Sequence, residues 1–202
     1  MLSDAVLLRF PQRRADTMGM PAVERFYTAQ MVRELPDDGN RYEVIHGELF
    51  VTPAPRWPHQ TVLGRLYASI RSYLEQLGRP DTVVFSPADV SWTDDTLVQP
   101  DLFVVTPEEF SARWETVKTL LLAIEIISPS SRRADRVVKR RLYQEQRVGT
   151  YWVVDIEAGL VEVWHPSDER PEIVTDTLHW RAVEGGPDLT IEIAALFGGV
   201  PS

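Results

Sequence analysis

The chain has 202 residues, of which 44% are hydrophobic and 25% are charged, so it is long enough for a packed core and ordinary for a globular protein. It contains no cysteine, which excludes disulfides, thiolate metal sites and cysteine nucleophiles. Its formal net charge of -9 argues against a broad basic surface for gripping nucleic acid, although a local basic patch remains compatible with it.

The N-terminal segment, residues 1–27, has no clean hydrophobic period and is interpreted as a loosely attached extension. Its first ten residues hold a short apolar patch between Asp4 and Arg9 but no small-residue cleavage site, which is untypical of a signal peptide. No apolar run in the sequence reaches the length of a membrane span. We therefore expect a cytoplasmic protein with no membrane association, in which residues 28–202 form a single domain.

A short helix and a hairpin are predicted next. Thr28 is suited to cap a helix that Pro36 to Gly39 ends. The run from Tyr42 to Thr52 suits two strands, with His46-Gly47 placed where a two-residue turn belongs. Glu43 on this hairpin is either an ordinary solvent-facing glutamate or, if its edge faces a pocket, a functional acid.

Pro58 to Leu77 is the clearest amphipathic helix in the chain. His59 lies at its start, where free backbone N–H groups and the helix dipole favour anions. Two interpretations are open for His59, a phosphate contact and a plain surface histidine.

Two strands are predicted over Val83–Trp92 and Thr96–Val105. Within the second, Pro100 cannot donate to a strand ladder, so Asp101 marks a place where the ladder begins or is interrupted. Asp101 is therefore either a metal ligand beside an apolar core or an aspartate that closes a loop.

The stretch Thr119–Asp155 predicts a β-α-β unit. Leu120–Ile127 is apolar enough for a strand buried on both faces, a helix follows over about residues 134–146, and Tyr151–Asp155 is a second buried strand. A crossover helix makes such strands parallel neighbours. Leu160–Trp164 then pairs antiparallel with the second strand as a hairpin.

Glu125 interrupts the first buried strand of this unit, and a buried carboxylate is costly unless it is paired or binds a metal. Lys139 lies roughly 7.5 Å along the crossover helix. Glu125 lies roughly 6.6 Å back from the end of its strand, so the two side chains are at similar depth and able to meet. Their contact would be either a structural ion pair or part of a catalytic site.

Asp101, Glu125 and Lys139 together suggest a reaction class. Carboxylate oxygens near strand ends suit Mg²⁺ or Mn²⁺. A magnesium ion beside a lysine-oriented water is an arrangement that hydrolyses phosphodiesters. The sequence has no glycine-rich phosphate loop or Gly-x-Ser-x-Gly elbow, and its four histidines lack the close pairing of a zinc helix.

These residues also carry a resemblance to a known family. Pro100-Asp101 followed by Glu125-Ile126-Ile127 is similar to the PD-(D/E)-x-K signature of the restriction-endonuclease-like nuclease superfamily. A wider set resembles the Uma-type family of proposed endonucleases over about residues 35–164: RYEVIHGEL, the His59-Gln60 helix start, VQPDLFVV, EIISPSSRRAD, the Lys139–Tyr143 pair and YWVVD. The resemblance implies an α/β fold with a restriction-endonuclease-like core, a mixed central β-sheet flanked by helices, and added β-hairpins.

The resemblance further implies a role for each site residue. Asp101 and Glu125 would hold the metal, helped by a backbone carbonyl of Ile126 or Ile127. Glu43 would be an additional acidic residue from the N-terminal part.

The superfamily lysine falls at Ile127, which cannot act as a lysine. The resemblance places that lysine on the following helix, at Lys139, where it would orient or deprotonate the attacking water and stabilise the transition state. The family also tends to have an aspartate at His46 and a Gly-Val-Pro-Glu-like run at Val148–Thr150. We interpret both differences as turn chemistry.

Three hypotheses for function follow. The first is a metal-dependent DNA endonuclease, in which Arg132, Arg133 and Arg136 contact phosphates and a homodimer is the usual way to cut both strands. The second is a non-catalytic interaction or regulatory domain that keeps the fold. The acidic net charge favours this hypothesis, as does the absence of the superfamily lysine at Ile127. The third is a hydrolase for a small phosphoester, which needs no basic surface.

Overall fold

The structure, a computed structural model, describes residues 26–79, 82–85, 88–111, 116–129 and 131–200. The predicted extension over residues 1–27 therefore lies almost entirely outside the described residues. In these ranges the helices are α1 (Ala29–Arg33), α2 (Trp57–Gln76), α3 (Pro107–Ser111), α4 (Arg140–Glu145), which continues a π-helical segment (Ala134–Lys139), and α5 (Ile193–Phe197). The strands are β1 (Asn40–Ile45), β2 (Glu48–Pro53), β3 (Val83–Phe85), β4 (Val90–Thr93), β5 (Thr96–Val98), β6 (Leu102–Val105), β7 (Leu120–Ile127), β8 (Thr150–Asp155), β9 (Leu160–Trp164), β10 (Glu172–Val174), β11 (Thr177–Trp180) and β12 (Leu189–Glu192).

The strands of the described ranges form two larger sheets and a ribbon. The central sheet has six strands in the order β10-β9-β8-β7-β6-β3, and the second has four in the order β2-β1-β5-β4. Only β7 and β8 pair in parallel in the central sheet, so it is mixed. The strands β11 and β12 pair with each other. No helix in the described ranges is long and apolar enough to cross a membrane.

The predicted β-α-β unit is present. β7 pairs in parallel with β8, with Glu125 opposite Val153. Leu122, Ile124 and Ile126 share a core with the apolar stripe of α2, while Ala123 and Ile127 belong to the core under α4. Because side chains alternate along a strand, Glu125 points to the same side as Ala123 and Ile127, toward the crossover helix.

The predicted helix cap at Thr28 and the predicted hairpin turn at His46-Gly47 are confirmed. Thr28 caps α1, because its Oγ1 accepts a hydrogen bond from the N–H of Met31 at 3.2 Å. His46 and Gly47 form the hairpin turn between β1 and β2 with φ of 51° and 81°. Two positive φ values are what the right-handed twist of a tight hairpin requires, and histidine tolerates the left-handed region better than most residues.

The strands predicted over Val83–Trp92 and Thr96–Val105 were wrong as continuous elements. Each divides between the two sheets: β3 and β6 belong to the central sheet, and β4 and β5 to the four-stranded sheet. In the second case Gln99-Pro100-Asp101 separates β5 from β6, because proline supplies no ladder donor. The chain therefore changes sheets at Asp101.

Candidate active site

Four buried carboxylates line one cavity of about 480 Å³. Glu43 comes from β1, Asp101 from the crossing between sheets, Glu125 from β7 and Asp135 from the π-helical segment. Each residue is at most 2% exposed. Burial of this much negative charge is unfavourable without cations or hydrogen-bond donors.

Lys139 is the central cation of the cavity. It is 3% exposed, and its Nζ lies 2.8 Å from Oε2 of Glu43, 2.9 Å from Oε1 of Glu125 and 3.5 Å from Oδ1 of Asp135. The contact with Glu125 is the one that matching depths along helix and strand predicted. The Tyr143 hydroxyl, one helical turn further, also donates to Oε1 of Glu125 at 2.9 Å.

Glu43 is not on the solvent face of its hairpin. Its Oε1 accepts a hydrogen bond from the backbone N–H of Gln99 at 2.7 Å, and its Oε2 faces Lys139. Glu43 therefore ties the four-stranded sheet to the crossover helix.

Asp101 has three partners. Its Oδ1 lies 2.8 Å from Nη1 of Arg41, and its Oδ2 accepts from Nε2 of His59 at 2.9 Å and from the N–H of Ile126 at 2.8 Å. Because an ionised carboxylate only accepts, Nε2 of His59 carries the proton. The other ring nitrogen, Nδ1, is buried and has no hydrogen-bond partner in the described part of the chain.

The pKa of Asp101 is the net result of opposing effects. Burial raises it, but the hydrogen bond and charge of His59, with the charge of Arg41 and the Ile126 N–H, hold the pKa well below its usual value. The carboxylate form of Asp101 is therefore strongly favoured in the folded protein.

Glu125 and Asp135 behave in the opposite way. Burial raises the pKa of both, and the attraction of Lys139 is outweighed once the neighbouring carboxylates are added. For Lys139, burial lowers the pKa, but Glu125, Glu43 and Asp135 together raise it well above its usual value. The lysine is therefore an ammonium at neutral pH.

The residue types suit a hard divalent cation, whereas their pairing constrains how one would bind. Glu125 lines the cavity, and its Oε2 accepts no hydrogen bond from the described residues. Both oxygens of Asp101 already accept hydrogen bonds, and a cation at the remaining acceptor position of Oδ1 would lie beside the guanidinium of Arg41. Among the described residues, no group of three or more histidine, aspartate or glutamate side chains is arranged to hold a metal ion.

The residues predicted to contact nucleic acid are in different environments. Arg132 pairs with Glu157 at 2.8 Å, and Arg136 pairs with Asp155 at 2.9 Å and Glu162 at 2.6 Å. Arg133 is exposed. The side chain of His59 is 13% exposed and is hydrogen-bonded to Asp101. Ile126, which the resemblance gave a role at the metal through its backbone carbonyl, contacts Asp101 through its N–H.

Sequence analysis assigned no role to Arg41 and Asp135, yet both contact the central residues. Two signals were available in hindsight. Arg41 is two residues before Glu43 on a strand and therefore shares its face, and Asp135 is four residues before Lys139 on a helix. Neither signal identifies a functional residue without the tertiary partner.

Comparison with known proteins agrees with this architecture. The family Uma2, described as "Putative restriction endonuclease", matches residues 29–194. No curated protein matches the chain. A crystal structure of a "putative nuclease belonging to DUF820" from Anabaena variabilis is similar with a TM-score of 0.69 and 19% identity, covering 85% of this chain and 97% of that chain. The fold class with a restriction-endonuclease-like core is thereby confirmed, and because the family match spans most of the chain, this protein belongs to the Uma2 family.

Proposed function

We propose that the protein is a metal-dependent endonuclease that hydrolyses DNA phosphodiester bonds in the cavity around Asp101. Family membership and fold support a nuclease in general terms. The finer proposal depends on one observation: Lys139 reaches Glu125 from the crossover helix, in the cavity that also holds Asp101. This contact supports the proposal that Lys139 does the work of the lysine that is missing at Ile127, the usual motif position.

In this proposal Asp101 and Glu125 hold Mg²⁺ or Mn²⁺, which supplies Lewis-acid stabilisation of charge when it is bound. Asp101 is suited to the role because it stays ionised. Lys139 donates hydrogen bonds to the attacking water and to the phosphate oxygens, since its raised pKa makes it a donor and not a base. Glu43 also contacts the ammonium, at 2.8 Å, and keeps it in place.

A second candidate function is a non-catalytic domain that keeps the nuclease fold. The pairing of Asp101 with Arg41 and His59 favours it, because the Arg41 guanidinium already neutralises the carboxylate that would bind the metal, and His59 takes one of its acceptor positions. In that case Lys139 is a structural counter-ion and no more.

Nicking of supercoiled plasmid separates the two. We expect cleavage with Mg²⁺ or Mn²⁺ in the wild type and a loss on the order of 10²-fold or more in Asp101→Asn. Asp94→Asn, at an exposed turn position, is the matched control and should cleave normally. A wild type that cuts neither duplex nor single-stranded DNA with either metal would support the non-catalytic domain. Activity on a small phosphodiester that DNA does not inhibit would instead indicate the small-phosphoester hydrolase.

A further inference from the structure

The segment Pro53–Trp57, here the PAPRW segment, joins β2 to α2 and is exposed along its whole length. Trp57 is 80% exposed. The other tryptophans among the described residues are at most 9% exposed: Trp92, Trp152, Trp164 and Trp180. The indole of Trp57 is therefore accessible to a ligand, with both an apolar ring and an N–H to offer.

The PAPRW segment restricts the backbone that carries this side chain. Pro53 and Pro55 lie within it and Pro58 directly follows, and each proline ring fixes one backbone dihedral. Trp57 is also the first residue of a 20-residue helix, and the Thr61 hydroxyl donates to its carbonyl at 3.2 Å. A side chain presented on rigid backbone loses less entropy on binding than one on a flexible loop.

The position of the PAPRW segment relates it to the candidate active site. Residues on both sides of Trp57 line the cavity, among them Arg56 and Pro58. His59, two residues further, is hydrogen-bonded to Asp101. Trp57 itself does not line the cavity, but it lies between two residues that do, within one helical turn of His59, which contacts the proposed metal ligand.

Arg56 adds a cation at the same edge. It is exposed, and it forms no ion pair within the part of the chain that the structure describes. Arg132 and Arg136, by contrast, are held by carboxylates. An aromatic face beside an unpaired guanidinium is the combination that single-stranded nucleic acid uses, a base stacking on the ring and the cation near the backbone.

We propose that Trp57 stacks on an unpaired nucleobase next to the phosphodiester in the cavity, with Arg56 at an adjacent phosphate. The substrate class is then a nucleic acid with single-stranded or splayed nucleotides, because bases inside a duplex present no free face to an indole. This inference rests on the proposed nuclease function.

Oligonucleotide binding, measured under conditions that prevent cleavage, tests whether Trp57 stacks on a base. Dissociation constants are measured by fluorescence anisotropy for one labelled oligonucleotide, single-stranded and annealed to its complement, with a chelator present. Trp57→Ala should weaken single-strand binding about tenfold and duplex binding much less, and Trp57→Phe should retain most of the affinity. Ile173→Ala, which removes another exposed apolar side chain on β10, is the matched control and should change neither constant.

Equal single-strand affinity in wild type and Trp57→Ala would overturn the proposal, as would an equal loss for both DNA forms. A change in sedimentation coefficient on Trp57→Ala would also overturn it, because Trp57 would then cover a second copy of the chain. A wild type that binds neither form but nicks plasmid refutes the stacking site alone. A wild type that neither binds nor nicks refutes the nuclease function together with it.

Discussion

At the scale of single residues, the cavity is a charge cluster in which Lys139 and Arg41 offset four carboxylates. Lys139 bridges Glu43 and Glu125, and Arg41 is tied to Asp101. Removal of one partner from a buried pair leaves the other charge uncompensated, which costs more than the pair contributes. Every substitution in the cluster therefore affects stability as well as chemistry, and the two effects must be measured apart.

We predict that Lys139→Met lowers the free energy of unfolding by about 3–5 kcal/mol, because it leaves Glu125 and Glu43 facing each other without a cation. Adding Glu125→Gln should recover about 1–3 kcal/mol, since residues in contact couple by that amount. Urea denaturation measures both changes. DNA cleavage should stay absent in the double variant, which lacks both the lysine and a proposed metal ligand.

The control for this coupling is Glu48→Gln in the Lys139→Met background. Glu48 is an exposed carboxylate on the hairpin that also carries Glu43. Its effect on the free energy of unfolding should therefore add to that of Lys139→Met without coupling. A Lys139→Met variant as stable as wild type would contradict the charge-cluster argument. Cleavage by the double variant would contradict a catalytic role for the lysine.

The second residue-scale prediction concerns Asp101 and acid. Its pKa in the folded protein is below the usual 3.8, so its stabilising contribution is fully present above that pH. As the pH falls through 3.8 toward the folded value, the unfolded chain takes up the proton first and stability is lost. The free energy of unfolding should therefore fall more steeply between about pH 4 and pH 2 in wild type than in Asp101→Asn. If the free energy of unfolding fell with the same slope in both proteins over this pH range, the pKa of Asp101 would not be lowered in the folded state.

At the scale of elements, the crossover helix begins as a π-helical segment, and this geometry brings Asp135 and Lys139 to the buried side. π-helical turns inside a helix are rare overall, and those that occur often lie at functional sites. The Tyr151 hydroxyl on β8 donates to the carbonyl of Asp135 at 3.0 Å, in a buried hydrogen bond. The neighbouring strand thus fixes the segment that carries the lysine.

We predict that Tyr151→Phe lowers the free energy of unfolding by about 0.5–1.5 kcal/mol, because the carbonyl of Asp135 loses one of two donors and keeps the N–H of Arg140. It should also speed amide hydrogen exchange in the segment Ala134–Lys139 relative to α4. Tyr143→Phe is the comparison, since that hydroxyl donates to Glu125 and not to the helix backbone. Uniform exchange changes in both variants would mean that Tyr151 does not specifically hold the π-helical segment.

At the scale of the whole molecule, the cavity draws its side chains from both sheets and from α2. Arg41 and Glu43 belong to the four-stranded sheet, Glu125 to the central sheet and His59 to α2. A ligand bound there joins separate elements. Binding to the folded state alone raises the melting temperature by mass action.

We predict that millimolar Mn²⁺ or Mg²⁺ raises the melting temperature of the wild type by a few degrees, as saturation of one weak site would. Asp101→Asn should abolish the rise, and Asp94→Asn should keep it. Differential scanning fluorimetry over a metal titration measures the shift. An unchanged wild-type curve would instead favour the non-catalytic domain.

The sequence by itself determined the elements whose signal is local. The apolar run of β7, the turn at His46-Gly47 and the cap at Thr28 are each encoded by neighbouring residues, so each was predicted. The parallel pairing of β7 with β8 followed from the crossover, and the Glu125–Lys139 contact followed from counting residues along both elements.

Only the tertiary structure decided what depends on distant partners. The burial of Glu43 and the pairing of Arg41 and His59 with Asp101 join positions 42 and more residues apart, and no periodicity reports such contacts. The split of two predicted strands between sheets was likewise hidden, because a strand pattern records which residues are apolar and not which sheet buries them. The sequence does not show whether a carboxylate faces solvent, a metal or an arginine. The packing of the sheets determines which of these partners it meets.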